Sequence, residues 1–300
     1  MNILFCNSPL DNKKTDPDFE VEFVAARENG FETHIFSYED LKDADALLST
    51  KRIKTAGVLQ DIIYRGWMLK PKEYSLLYET LFRKNYKLIN TPVEYQTCHY
   101  LPDSYRFISA KTPKTIWFRI ENREPDYNQI LPSIQSLGSS SLIVKDFVKS
   151  QKHYWKSACF IPSANDTENV KSVINRFIEL QGADLNEGLV IREFVELNDL
   201  SIHSKSGMPL KQEYRLFFFK KQLLASYDYW EEGQYSDNEQ LPLSSFKKIA
   251  ETIESNFFTM DIAKRKNGEW IIIELGDGQV AGIPNTTDVN KFYENLKRLF

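Results

Sequence analysis

The chain has 300 residues, of which 42% are hydrophobic and 27% charged, and its formal net charge is −4. This composition is that of an ordinary globular protein and excludes a disordered or fibrous chain. The near-neutral charge disfavours a general nucleic-acid groove, and no apolar run is long enough for a membrane span. The three cysteines are odd in number and far apart, which favours a reducing compartment, so we expect a cytoplasmic protein.

The first third of the chain alternates apolar runs with helical patterns. Asp16-Pro17 begins a helix that Asn29-Gly30 ends, and Pro71–Asn85 has helical spacing. Four apolar runs predict strands, at Asn2–Asn7, Phe31–Phe36, Gly57–Tyr64 and Lys87–Asn90. Strands that alternate with helices at this spacing predict a parallel sheet of the βαβ type.

A small flexible joint at Gly138–Ser141 is the predicted domain boundary, which leaves a strand at Thr115–Ile120 in the first domain. The triple Phe217–Phe219 in the second domain predicts a strand that is buried on both faces. The elements predicted beyond the joint are strands at Leu142–Lys145 and Gly188–Val195, a hairpin of Glu213–Phe219 with Gln222–Tyr229, and helices at about Asp166–Leu180, Leu243–Ser255 and Asp288–Phe300.

A hairpin within Phe257–Pro284 carries the strongest chemical signal. Its two apolar strands are joined at an Asn-Gly step, which favours a tight turn. Asp261 lies in the first strand, Glu274 in the second, and Asp277 in the glycine-flanked bend that follows. Carboxylates in apolar strands are costly unless a cation neutralises them, and paired acidic oxygens suit Mg²⁺. The alternative is a hairpin whose acids face water.

Basic residues follow the strand that ends at Lys145. Lys149 comes four residues later, and Lys152 and His153 lie beyond it. Ammonium groups are compact point charges that suit polyphosphate oxygens, so the cluster predicts a phosphate site. A solvated loop is the alternative for Lys149 and Lys152, whereas Lys145 interrupts a strand that otherwise has the composition of a core.

Two further strands carry candidate nucleotide contacts. The run from Val190 to Glu196 turns outward after a buried segment and can present backbone groups to an adenine edge, although by itself it is equally typical of a core strand. Glu213 and Arg215 lie on one face of their strand, because side chains repeat every two residues. An acid suits ribose hydroxyls and an arginine suits phosphate or carboxylate, while a surface ion pair is the alternative.

Taken in order, these features resemble the ATP-grasp family of ATP-dependent carboxylate–amine and carboxylate–thiol ligases. The order is a lysine strand, a helix, a buried strand with Glu-Phe-Val, a hairpin with Glu-x-Arg, and paired acids on a final hairpin. The resemblance implies an α/β (α+β) ATP-grasp fold with a pre-ATP-grasp-like domain, 1–137, and an ATP-grasp domain, 138–300. The latter divides into a small nucleotide-binding subdomain, 138–196, and a C-terminal metal-binding subdomain, 197–300, which would clasp ATP between them.

The resemblance also implies how ATP is bound. Lys145 is similar to the strand lysine that contacts the α- and β-phosphates, and Glu213 to the acid that holds the ribose. Adenine would lie against the backbone of the segment formed by Glu193, Phe194, Val195 and Glu196.

The same resemblance implies a divalent-cation site for Mg²⁺ or Mn²⁺. Asp261 and Glu274 are similar to the acidic metal ligands of the family. Family members commonly place Asn two residues after the second acid, where this chain has Gly276, so we assign that role to Asp277.

The predicted phosphate loop departs from the family pattern. Many members fold a glycine-rich loop over the phosphates after the strand lysine. Here the segment is Lys149–His153, which is basic rather than glycine-rich and resembles a branch of the family that has lysines in that place. Lys149 and Arg215 would neutralise phosphate charge beside Lys145.

The implied activity is phosphorylation of a substrate carboxylate to an acyl phosphate, which an amine or another nucleophile then attacks. The carboxylate and the nucleophile are unassigned, with an amino acid, a peptide or a protein as candidates. Arg65, at the end of a predicted strand, and His99 are candidate substrate contacts, because ligands of open α/β sheets bind outside the carboxyl ends of the strands. A surface role for Arg65 and a structural role for His99 are the alternatives.

A non-catalytic ATP-binding module that regulates a partner interaction is the alternative function. The strand lysine and all three metal-type acids are present, which favours the ligase, since a degenerate module would be expected to lose some of them. A nucleic-acid ligase or a kinase of another fold is disfavoured, because the sequence has no Lys-x-Asp-Gly, His-Arg-Asp or Asp-Phe-Gly motif.

Overall fold

The structure is a computed structural model that describes residues 1–202, 204, 209–236, 239–284 and 287–300. No helix in this part of the chain is long and apolar enough to cross a membrane. All three cysteines are buried and unpaired. The α-helices of the described chain are α1 (Glu20–Glu28), α2 (Tyr38–Lys42), α3 (Ala46–Ser49), α4 (Pro71–Phe82), α5 (Pro92–His99), α6 (Leu101–Ile108), α7 (Tyr127–Gln135), α8 (Thr167–Gln181), α9 (Leu243–Thr252) and α10 (Val289–Leu299).

The N-terminal sheet is parallel, as the alternation of strands and helices predicts. Its strands run in the order β2-β1-β3-β4. They are β1 (Asn2–Cys6), β2 (Glu32–Phe36), β3 (Gln60–Arg65) and β4 (Tyr86–Leu88). After β4, the Thr91 hydroxyl accepts a hydrogen bond from the Glu94 amide, and the Glu94 carboxylate accepts one from the Thr91 amide. This capping box, with Pro92 at the first helical position, begins α5 and so fixes His99 at its end.

The middle sheet is antiparallel and has the order β5-β8-β6-β7. Its strands are β5 (Thr115–Arg119), β6 (Leu142–Asp146), β7 (Phe160–Ile161) and β8 (Gly188–Glu193). The sequence boundary at Gly138 assigned β5 to the N-terminal domain, whereas its pairing with β8 places it in the middle sheet. The change of sheet therefore comes before Thr115, a pairing that local pattern does not reveal.

The C-terminal sheet is antiparallel, with the order β12-β11-β13-β14. A separate pair of strands, β9 (Asp199–Ile202) and β10 (Pro209–Lys211), precedes it. Its own strands are β11 (Glu213–Phe219), β12 (Gln222–Asp228), β13 (Phe257–Lys264) and β14 (Trp270–Asp277). Lys220 and Lys221 join β11 to β12 with φ of 46° and 68°, the left-handed pair that a type I′ hairpin turn requires.

Strand β11 is buried on both faces, which confirms the prediction from its phenylalanines. Phe217 and Phe219 lie in one core together with Ile3 and other residues of the N-terminal sheet. Phe218 lies in a second core on the opposite face. The C-terminal sheet is thus covered on both sides, and its central strands are held between two apolar layers.

Candidate active site

The paired acids of the hairpin line a cavity of about 110 Å³. Antiparallel pairing places Asp261 on β13 opposite Glu274 on β14, and a bulge directly beyond this pair makes Ile273 the extra residue. Lys145 and His99 line the same cavity from β6 and α5. A larger, open groove between α1 and the start of α10 contains none of the predicted site residues, so the smaller cavity is the candidate site.

Two cation–carboxylate pairs meet in the cavity. Lys145 Nζ lies 2.7 Å from Glu274 Oε2, and Arg215 donates to both carboxylate oxygens of Asp261 at 2.9 and 2.8 Å. Burial would raise the pKa of Glu274, but Lys145 and the neighbouring cations outweigh it and lower the pKa to about 2. Burial raises the pKa of Asp261, and Arg215 offsets that effect in part. Each acid is therefore held beside a cation that can also bind an anionic ligand.

Asp277 also lines the cavity, but its oxygens are engaged elsewhere. One accepts a hydrogen bond from the Asn90 amide at 2.6 Å, and the other accepts from the backbone and side chain of Gln279 at 2.9 and 3.2 Å. Burial, despite these hydrogen bonds, raises its pKa to about 7. No three His, Cys, Asp or Glu side chains in the described ranges are grouped so that they could hold a metal ion.

The segment after β6 forms a tight turn over the strand end. The backbone amides of Val148 and Lys149 both donate to Asp146 Oδ1, which accounts for the bend. The carboxylates of Glu213 and Glu274 raise the pKa of Lys152, although burial opposes them. Much of the Lys152 side chain is exposed to solvent, but these two acids influence its charge, so Lys152 belongs with the site.

Arg215 and Glu213 both point from β11 towards the acids. The Arg215 guanidinium lies 4.8 Å from the centre of the Tyr229 ring, in addition to its bonds with Asp261. Burial raises the pKa of Glu213 to about 7, with Lys152 acting in the opposite direction. The predicted Glu-x-Arg pair is therefore not an ion pair on the surface.

The predicted adenine segment follows β8. Its first two amides are already used, because Glu193 N donates to the Lys114 carbonyl at 2.9 Å and Phe194 N donates to the Ser141 carbonyl at 2.8 Å. The Glu196 carbonyl accepts from the Lys266 amide at 3.1 Å. Val195 is half-buried between these positions. The Phe194 ring packs edge-on against Trp155 and Phe160, and these three rings form an aromatic cluster at the segment.

The two candidate substrate contacts have different environments. Arg65 is fully buried, where it donates to both carboxylate oxygens of Glu22 and to the carbonyls of Gly278 and Ala281. It is not among the residues that line the cavity, so its alternative as a surface residue is wrong and its contacts are those of a clamp. His99 does line the cavity, and burial together with Lys149 lowers its pKa to about 4, which leaves the imidazole neutral.

Sequence reasoning missed Arg192. This residue of β8 is 8% exposed and donates to the Ile273 carbonyl at the β14 bulge, at 2.6 Å, and to the Thr112 hydroxyl. Its charge also contributes to the low pKa of Glu274. The available signal was an arginine inside an otherwise apolar strand, which is costly unless that residue has a partner.

Residues 136–296 match a family model described as an ATP-grasp domain, family 3 of its clade. The chain belongs to this ATP-grasp family. The match covers more than half of the 300 residues and contains both subdomains that we predicted to clasp ATP. None of the curated proteins compared with this ATP-grasp chain matches it by sequence.

Solved structures share the fold over the full length of the chain. The RimK domain protein ATP-grasp from Sphaerobacter thermophilus DSM 20745 is 8% identical, with a TM-score of 0.60 over 100% of this chain and 99% of that one. The D-alanine–D-alanine ligase from Bacillus anthracis complexed with ATP is 12% identical, with a TM-score of 0.59 over 99% and 94%. The ATP-grasp ligase PsnB complexed with minimal precursor, Mg and ADP is 11% identical, with a TM-score of 0.56 over 99% and 97%. At these identities the likeness shows the fold, and it confirms the predicted ATP-grasp architecture.

Proposed function

We propose that this protein is an ATP- and Mg²⁺-dependent ligase that activates a substrate carboxylate as an acyl phosphate for attack by an amine or another nucleophile. The observation that carries the proposal is the meeting of two cation–carboxylate pairs, Lys145–Glu274 and Arg215–Asp261, in one cavity. Each pair contains one group suited to a phosphate and one suited to a divalent cation. A purely structural role would not require two such pairs at the wall of a cavity.

The donor set fits a divalent cation and a polyphosphate. Asp261 and Glu274 are adjacent on one sheet face and would hold Mg²⁺, whereas the oxygens of Asp277 already accept hydrogen bonds from Asn90 and Gln279. We therefore give the cation role to the first two acids and a supporting role to Asp277. Bound Mg·ATP would supply the transferable phosphoryl group and additional positive charge.

The residues of the chain bind, orient and neutralise. Lys145, Lys149 and Arg215 would balance the charge of the phosphates, and Lys152 would add to them from the basic loop. Glu213 would hold the ribose, and the segment from Glu193 to Glu196 would meet the adenine beside its aromatic cluster.

The substrate side of the cavity is formed by the N-terminal half of the chain. Met68, His99 and Leu101 line it there, opposite the two ion pairs. A neutral imidazole among apolar side chains offers a hydrogen bond without a charge. The carboxylate would meet the phosphate near Arg215, and the nucleophile would approach from the side of His99. PsnB was solved with a precursor peptide, and we keep a peptide among the candidate substrates.

Calorimetric titration of ATP, with and without Mg²⁺, tests the nucleotide site. We expect Mg²⁺-dependent binding by the wild type and its loss in the Asp261→Asn/Glu274→Gln double variant. Glu294→Gln, in a surface ion pair with Lys291, is the matched control and should bind like the wild type. No binding by the folded wild type would refute the proposal.

Release of ADP then separates a ligase from a regulatory module. Amino acids and short peptides are added as carboxylate substrates, with hydroxylamine as the nucleophile. ADP release that depends on the added carboxylate is expected of the ligase. Binding of ATP without turnover under all these conditions would favour the regulatory module.

A further inference from the structure

A hydroxyl group lies beside the two acids on the same face of the C-terminal sheet. Thr259 precedes Asp261 by two residues on β13, and Gly276 follows Glu274 by two on β14, so all four positions share one face. The pairing places Thr259 directly opposite Gly276, as it places Asp261 opposite Glu274. All four residues line the cavity.

The orientation of the Thr259 side chain follows from the geometry at Gly276. A Cβ atom built at residue 276 would lie 2.7 Å from Thr259 Oγ1, which is shorter than any ordinary contact. A side chain at 276 would project to the face that carries Glu274. The hydroxyl of Thr259 therefore occupies that side, in the space that the glycine leaves free.

This hydroxyl has no hydrogen-bond partner among the residues that the structure describes. The side chain of Thr259 is nonetheless almost completely shielded, with the residue 1% exposed. A shielded hydroxyl without a partner costs about 1–3 kcal/mol, so groups of this kind are rare outside sites that bind a ligand. The neighbouring Thr112 hydroxyl, in contrast, donates to the Ile272 carbonyl at 2.7 Å.

We infer that the Thr259 hydroxyl is the third protein oxygen of the divalent-cation site held by Asp261 and Glu274. The inference rests on the proposed function and names a ligand that the acids alone do not provide. Mg²⁺ prefers oxygen ligands, and serine and threonine hydroxyls hold it in other nucleotide-binding sites. Gly276 has a role in the same arrangement, because any side chain there would displace the hydroxyl.

The test measures Mn²⁺ binding rather than turnover. Free Mn²⁺ is followed by electron paramagnetic resonance in the presence of a non-hydrolysable ATP analogue. Thr259→Val keeps the shape but removes the hydroxyl, and we expect it to weaken Mn²⁺ binding about tenfold. Thr259→Ser keeps the hydroxyl and should bind within about twofold of the wild type.

A matched control removes a shielded hydroxyl far from the cavity. Thr80 is 3% exposed and bonds the Leu76 carbonyl within α4, so Thr80→Val should leave Mn²⁺ affinity unchanged. If Thr259→Val does not fold, Gly276→Ala decides the matter, because its Cβ forces the hydroxyl to move and should also weaken Mn²⁺ binding.

The outcomes separate this inference from the proposed function. Wild-type affinity in Thr259→Val, or in Gly276→Ala if the former does not fold, overturns the role of Thr259 while Asp261 and Glu274 remain in the site. A wild-type protein that binds the nucleotide analogue but no Mn²⁺ overturns the cation site altogether. Weakening by Thr259→Val together with normal binding by Thr259→Ser supports the inference.

Discussion

The ion pair between Lys145 and Glu274 has a strength that a double-mutant cycle can measure. Lowering the pKa of Glu274 from its ordinary 4.5 to about 2 corresponds to about 3 kcal/mol in favour of the ionised form. The Glu274 side chain is 34% exposed, and Lys152 and Arg192 share the effect, so we expect about 1–2 kcal/mol for Lys145 alone.

Urea unfolding of the wild type, Lys145→Met, Glu274→Gln and the double variant gives this coupling energy. The pKa of Glu274 is lower in the folded than in the unfolded state, so the pair stabilises the protein above pH 4.5 and loses its effect as the pH falls towards 2. The coupling should therefore be smaller at pH 3 than at pH 7. A cycle on the exposed Lys291–Glu294 pair serves as the control and should show little coupling. Zero coupling between Lys145 and Glu274 at pH 7 would refute the reasoning.

Three further predictions concern the residues around this pair. Arg65→Met leaves Glu22 buried without its partner, so unfolding by urea should show a loss of about 3–5 kcal/mol; a loss below about 1 kcal/mol would contradict the clamp. Arg215→Lys cannot keep both hydrogen bonds to Asp261, and the same measurement should show a loss of about 1–2 kcal/mol, whereas an equally stable variant would argue against the bidentate contact. Burial raises the pKa of Glu213 to about 7, above its unfolded value of 4.5, so its protonated form stabilises the folded state at low pH and that contribution is lost as the pH rises through about 7. The melting temperature of the wild type should thus fall relative to Glu213→Gln between pH 5 and pH 8; parallel curves would exclude the shift.

The site residues that the sequence located best lie on strands with regular alternation. Asp261 and Glu274 are polar positions in apolar strands joined by a short turn, so local pattern and turn chemistry together place them side by side. Lys145 was found for the same reason, as a charge that interrupts a buried strand.

Contacts between distant parts of the chain were beyond sequence reasoning. The partner of Asp277 is Asn90, 187 residues away, and nothing near either residue reveals the other. Arg65 ends a strand, as predicted, but its bonds to Glu22 and to the carbonyls after β14 arise only when the N-terminal and C-terminal sheets pack together. The pairing of β5 with β8 is also long-range, which explains why the predicted boundary at Gly138 separated two strands of one sheet.

The double-sided burial of β11 determines how the protein can be divided for expression. A fragment limited to residues 136–296 would lack β5 and would uncover Phe217, Phe219 and Phe257, whose core includes residues of the N-terminal sheet. Exposed aromatic surface of this kind promotes aggregation. The range that matches the family model is therefore not an autonomous folding unit, and the nucleotide site exists only in a chain that also carries the N-terminal sheet.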